Sequence, residues 1–192
     1  EIFPEPEILR LAHHIVNEPD LTGLGVLLTL NSGLRLGELC ALRWSDIDLH
    51  AGFLRVEREV QRLYEQGRTR LVMQPPKSES SLRRIPLPAD MLSLLAAYKP
   101  KHTGDTCLLT GTAAPIEPRT MQNRYKSLLK RAGVPYRNFH ALRHPYVKPT
   151  TKKFASFLKF FRAAAIAARS CSIRYSWLML PFQISPFLKS PA

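Results

Sequence analysis

The sequence predicts a mixed α+β fold, mainly helical, with one small antiparallel β-sheet. Three observations predict it. Apolar residues recur at helical spacing up to residue 42, two-residue alternation takes over from residue 53, and helical spacing returns behind Pro88 and Pro118.

Residues 6–16 form an amphipathic helix, with Ile8, Leu9, Leu11 and Ile15 on one side. Asp20 or Thr22 can cap a second helix over 24–30. That stretch is apolar nearly all round, as expected of a central core helix, and Gly33 can end it. Helix resumes over 37–42. Ser45-Asp46-Ile47-Asp48 is a turn. Residues 53–63 alternate as one strand, Gln66-Gly67 turns the chain, 69–73 returns, and 83–87 supplies a third strand. Residues 88–98 form a helix with Met91, Leu92, Leu94 and Leu95 inward. Cys107-Leu108-Leu109 is a short buried segment, a helix runs over 118–132 from Pro118 to the Gly133 stop, and His140 starts another.

The chain has 192 residues, enough for one sizeable core, and a net charge of +13. Such a charge favours a polyanion, nucleic acid first and an anionic membrane second. The charge is uneven. Residues 1–144 hold 20 Lys and Arg against all 15 acids, whereas residues 145–192 hold 8 basic residues and no acid. The overall pI therefore overstates the basicity of the first part. Cys40, Cys107 and Cys171 have no metal-ligand spacing, and their odd number suggests a reducing compartment, with Cys40 and Cys107 as small core residues. No signal-peptide pattern and no apolar run of about 18 residues is present, so a membrane span is not expected.

Two arginines stand out. Arg35 lies in Gly33-Leu34-Arg35-Leu36-Gly37-Glu38-Leu39, and Arg143 lies in His140-Ala141-Leu142-Arg143-His144. Glu38, three residues after Arg35, can hold its guanidinium by a charge-assisted bond, and a fixed guanidinium fork suits two phosphate oxygens. His140 and Arg143, at i and i+3, share one face of an early helical turn, where backbone N–H groups attract anions. Lys77, after Pro75-Pro76, is placed in a hairpin loop and can donate a proton. Arg83 and Arg84 are expected to touch DNA backbone or solvent. The ordinary alternative for each residue alone is a solvated side chain; the combination is what argues for a phosphate site.

These stretches, with Leu42-Arg43-Trp44-Ser45-Asp46-Ile47-Asp48 and Arg84-Ile85-Pro86-Leu87, resemble the catalytic domain of tyrosine recombinases, the phage integrase family, over roughly residues 5–144. The resemblance implies a tyrosine-recombinase-like α+β fold and DNA strand cleavage and rejoining through a 3′-phosphotyrosyl link, with no metal or other cofactor. It implies that Arg35, His140 and Arg143 stabilise the pentacoordinate phosphate and that Lys77 protonates the leaving 5′ oxygen. It makes Leu42 and Trp44 core positions. The partner would be double-stranded DNA, bound by a homotetramer on paired sites, with no small-molecule substrate, in a bacterial or phage-derived protein of the cytoplasm. The family's DNA-clamping domain is expected to be absent, because only a few residues precede the first helix.

The pattern departs after residue 144, which divides the chain into a recombinase-like part, 1–144, and a tail, 145–192. Pro145 stands where the resemblance implies Thr or Ser and a continuing helix. The tail has no glycine and hence no Leu-Gly-His, the motif expected before the nucleophile. Tyr146 lies too close to Arg143 to reach the same phosphate. Tyr175 has the family's separation without its surroundings, and is the candidate nucleophile by position alone. Lys159, Arg162 and Arg169 with nearby phenylalanines allow a basic membrane-surface helix; an extension without a fold is the favoured alternative. The composition reads as a change of reading frame shortly after residue 144. That predicts a neighbouring frame encoding Leu-Gly-His and a tyrosine, and a coding sequence with neither in any frame would refute it.

Overall fold

The structure, a computed structural model, describes residues 3–65, 67–75, 81–99 and 105–143. Lys77, His144, Pro145, Tyr146, Cys171, Tyr175 and the whole 145–192 tail lie outside the described residues.

Helix α1 (Glu5–Asn17) opens behind Pro4, with Pro6 in its first turn and Glu5 and Glu7 at its positive end. Leu11, Ala12 and Ile15 form its buried stripe, while Ile8 and Leu9 are only partly buried. Asp20 caps α2 (Leu21–Ser32) by accepting from the Gly23 N–H at 2.6 Å. Every residue of 22–32 is buried, so α2 is the axis of the core. Its polar side chains meet this burial locally. Thr29 Oγ1 donates to the Gly25 carbonyl at 2.9 Å, Asn31 Nδ2 to Leu27 at 2.8 Å and Ser32 Oγ to Leu28 at 2.7 Å.

Gly33 ends α2 in the left-handed region (φ 63°, ψ 27°), and its N–H closes on the Thr29 carbonyl. Leu34 is then fully buried, and the short helix α3 (Leu36–Ala41) begins. A 3-10 turn, Trp44–Asp46, leads into β1 (Ile47–Asp48), so the expected turn at 45–48 is part 3-10 helix and part strand. The segment Cys107-Leu108-Leu109 is buried, as its sequence suggested, and is stitched to the residues after α3: Trp44 N–H donates to Thr106, and Leu108 N–H to Leu42.

The single sheet expected from 53–87 divides into two. Strands β1, β2 (Phe53–Val56) and β5 (Arg83–Pro86) form an antiparallel sheet in the order β1-β2-β5, with Leu54 opposite Ile47 and Ile85. Strands β3 (Glu59–Glu65) and β4 (Arg68–Gln74) form a separate hairpin. The alternation read as one strand over 53–63 breaks at Glu57 and Arg58. Arg58 turns inward there, its Nη2 2.8 Å from Oδ1 of buried Asp46. A buried carboxylate needs that partner, and the corner hands pairing from β5 to β4.

Helix α4 (Ala89–Tyr98) buries Met91, Leu94 and Leu95, and α5 (Pro118–Arg131) buries Met121, Tyr125, Leu128 and Leu129 against α2 and α3. The helix expected from His140 is a 3-10 helix, Phe139–Arg143, packed on α2. Cys40 and Cys107 are free and buried; burial pushes the Cys40 thiol up to about 12, so both act as small core residues. Among the described residues no helix is long and apolar enough to cross a membrane.

A Cβ at position 33 would meet the left-handed penalty of about 1–2 kcal/mol. Gly33→Ala is therefore expected to lower the unfolding free energy by that amount, read in urea as a lower midpoint at an unchanged m value.

Candidate active site

The site begins where α2 gives way to α3. Buried Leu34 pins the chain on one side of Arg35 and α3 on the other, so the Arg35 side chain turns out and is about half exposed. Arg35 is the residue before the first turn of α3, and Glu38 is the third residue within it. Glu38 folds back to accept the Arg35 backbone N–H on Oε2 at 2.7 Å, a capping geometry. Its Oε1 accepts from Arg35 Nη1 at 2.8 Å. The carboxylate that caps the helix thus also aims the guanidinium, as the spacing of these two residues suggested.

The second partner of Glu38 is Arg83. Its Nη2 donates to Oε2 at 2.8 Å and its Nη1 to Oε1 at 3.0 Å. Expected to touch DNA backbone or solvent, the Arg83 fork is turned inward onto Glu38. Strand geometry explains it. Arg83 lies two residues before buried Ile85, so it shares the inward face of β5, while Arg84 lies on the opposite face and stacks over the Phe53 ring at 5.2 Å. Arg84 remains exposed.

Glu38 is 2% exposed. Burial alone would push its carboxyl up. The bonds from Arg83, then from the backbone and side chain of Arg35, outweigh that and hold it below the ordinary carboxylate range.

The third cation arrives from the other end of the described chain. Phe139, Ala141 and Leu142 bury the inner side of the 3-10 helix, and the Phe139 ring packs edge-on against Tyr125 at 5.2 Å. With three residues per turn, His140 and Arg143 stack on the outer side; His140 is exposed and Arg143 partly so. Burial depresses the Arg143 pKa, and the nearby guanidinium of Arg35 lowers it further, with Glu38 opposing and Arg83 adding. Arginine stays protonated at neutral pH, so this lowering marks a cation disfavoured first by burial and then by the like charges beside it, both of which a bound anion would offset. Arg143 therefore lies within electrostatic reach of Arg35, Glu38 and Arg83. Lys77 and Tyr175 belong to the segments outside the described residues, so no geometry relates them to this cluster.

Gly37 sets how closely the cluster meets the hairpin. A Cβ there would stand 2.9 Å from the Val60 carbonyl oxygen, a backbone atom that cannot swing aside. Only glycine lets the first turn of α3 rest on β3 at this distance.

Removing the charge of Glu38 leaves Arg35 and Arg83 facing each other across a buried amide. Glu38→Gln is expected to cost about 3 kcal/mol at neutral pH. Because the native carboxyl titrates below its unfolded value, the wild-type advantage is fully present above the ordinary carboxylate range and is lost as pH falls through the lowered native value. Urea unfolding of both proteins across an acid pH series checks this.

Comparison with known proteins agrees with the fold. A tyrosine recombinase XerC-like protein of Caldanaerobacter subterraneus subsp. tengcongensis is 34% identical over 140 residues, covering 62% of this chain and 36% of that protein. The ICEBs1 integrase of Bacillus subtilis is 26% identical over 127 residues, covering 60% of this chain and 33% of its own length. The chain thus spans about a third of the length of these relatives. Among solved structures, the Tn1549 transposon integrase in complex with transposon right end DNA superposes with a TM-score of 0.60 at 17% identity, over 91% of this chain and 62% of that one. The XerA recombinase gives 0.56 at 18%, over 92% and 61%. At such identities the likeness is one of fold: helices around a small antiparallel sheet, as the sequence predicts. Residues 3–148, well over half of the chain, match the model of the phage integrase family, and the chain belongs to that family.

Proposed function

We propose that the chain is the catalytic region of a site-specific DNA recombinase, which breaks and rejoins strands of double-stranded DNA through a 3′-phosphotyrosyl link. The observation that carries this reading is the approach of Arg35 and Arg143, far apart in the family-matching region, beside a carboxylate that aims one of them. Family membership supports it, as do relatives named tyrosine recombinases and integrases and a fold shared with an integrase captured on DNA.

In this reading a tyrosine oxygen attacks the scissile phosphorus and loses its proton, and the 5′ oxygen departs with a proton from Lys77. Arg35, Arg143 and His140 compensate the charge that builds on the pentacoordinate phosphate oxygens. A 5′-hydroxyl of a second strand then attacks the phosphotyrosine, releasing the tyrosine and restoring the backbone. Tyr175 is the candidate nucleophile by its position, and a tetramer on paired sites is the expected assembly. The working place of such a protein is the DNA of a bacterial or phage-infected cell.

Pro145 and the missing Leu-Gly-His favour a second reading for the chain as it stands: a remnant that holds the phosphate cradle and binds DNA without cutting it. Residues 145–192 would then be a tail added to the catalytic part, 1–144.

A nicked suicide duplex separates the two. A denaturation-resistant protein–DNA adduct, lost in Tyr175→Phe, supports the recombinase; salt-sensitive binding with no adduct supports the remnant. In either case Arg35→Ala with Arg143→Ala is expected to reduce the slope of log K against log salt by about 0.9, the loss of one phosphate contact. Binding with an unchanged slope would count against the phosphate site itself.

A further inference from the structure

We propose that Arg137 and Glu7 form a latch in which the start of the first helix fixes the segment presenting His140 and Arg143, so that Arg137 is a positioning residue for the site. The proposal rests on the reading of His140 and Arg143 as phosphate ligands. The two residues are 130 positions apart and form a bidentate pair. Arg137 Nε donates to Glu7 Oε2 at 3.1 Å and Nη2 to Oε1 at 3.2 Å. Both side chains are largely shielded, 18% and 12% exposed. The guanidinium also lies over the Phe3 ring, 5.5 Å from its centre.

The surrounding segment explains why such a latch is needed. After α5 the chain runs without regular structure from Val134 to Asn138. Val134 and Phe139 are buried at its two ends, while Pro135, Tyr136 and Asn138 between them are exposed. Arg137 is the residue of this stretch that turns inward, two positions before the 3-10 helix begins. The 3-10 helix itself is five residues long, starting with Ala141 N–H bonding back to Asn138, and so short an element cannot define its own direction. Its inner side chains fix its depth on α2. A planar fork held at two points fixes the approach of the chain into it, which sets where the outer pair, His140 and Arg143, is aimed.

Glu7 suits the other half of the latch. It sits in the first turn of α1, where the helix dipole favours a carboxylate. Phe3, whose ring the Arg137 guanidinium covers, is itself buried, so the segment ahead of α1 is held in the core.

The test uses the full chain carrying Arg137→Met, Arg137→Lys or Glu7→Gln, with two readouts. In hydrogen exchange followed residue by residue, the Ala141 amide is expected to exchange about tenfold faster in Arg137→Met and Glu7→Gln while the α2 amides keep their rates. Arg137→Lys, which keeps the charge without the fork, is expected to fall between. On duplex DNA, the slope of log K against log salt is expected to drop by about 0.9 in Arg137→Met. Equal acceleration of the α2 and Ala141 amides would make the pair a general stabiliser and overturn the proposal, as would an unchanged Ala141 amide. If the wild-type chain shows no salt-dependent duplex binding, the DNA reading fails on its own, and the exchange data decide the latch without it.

Discussion

A carboxylate taken out of water is tolerable only when cations replace its hydration, and Glu38 receives two. Arg35 comes from the junction of α2 and α3 and Arg83 from β5, so this one buried group joins the helical layer to the sheet. The same bonds decide the character of the site. They spend the Arg83 fork inward, leave half of Arg35 facing solvent, and set an acid under a surface that otherwise repels itself. Without that acid, the guanidinium groups of Arg35, Arg83 and Arg143 would face one another with no carboxylate among them. With it, the cluster keeps a positive excess suited to one anion.

The helix beneath this cluster makes such precision possible. Because α2 is buried along nearly its whole length, both its exit at Gly33 and the 3-10 helix packed against it are referred to the same rigid rod. Its buried hydroxyls and amide bond to their own carbonyls and demand nothing from neighbours. Arg35 and Arg143 are thus distant in sequence but supported by one element. A phosphate site needs this relation more than it needs many charges, since groups held a fraction of an ångström off line lose most of their preference for a developing charge.

Much of this was legible in the residues. A helix apolar on all sides had to be central, a glycine behind it had to stop it, and a glutamate three positions after Arg35 could reach it. The strand break at Glu57 and Arg58 was not legible. Arg58 interrupts the inward series Leu54, Val56 and Val60 at one position only, and the cause of the break is a tertiary contact, Arg58 on buried Asp46. Arg83, expected at DNA backbone or in solvent, shares the parity of Ile85, which places it on the inner face of β5, and that signal stood in the sequence. The 3-10 geometry of residues 139–143 left no mark, because an i, i+3 pair fits either helix type.

Net charge proves a coarser guide than charge placement. The arginines of the described region are largely turned onto acids: Arg43 onto Asp105, Arg58 onto Asp46, Arg62 onto Glu117, Arg83 onto Glu38 and Arg137 onto Glu7. Such pairs steer the fold and add little outward field. Arg143 differs: its nearest influences include two like charges, and among the described residues no acid is in direct contact with it. Burial first, and then the like charges of Arg35 and Arg83, disfavour that cation, and an anion beside it would offset them. On the proposed reading, Arg143 and the half-exposed Arg35 are the pair against which a phosphate would rest.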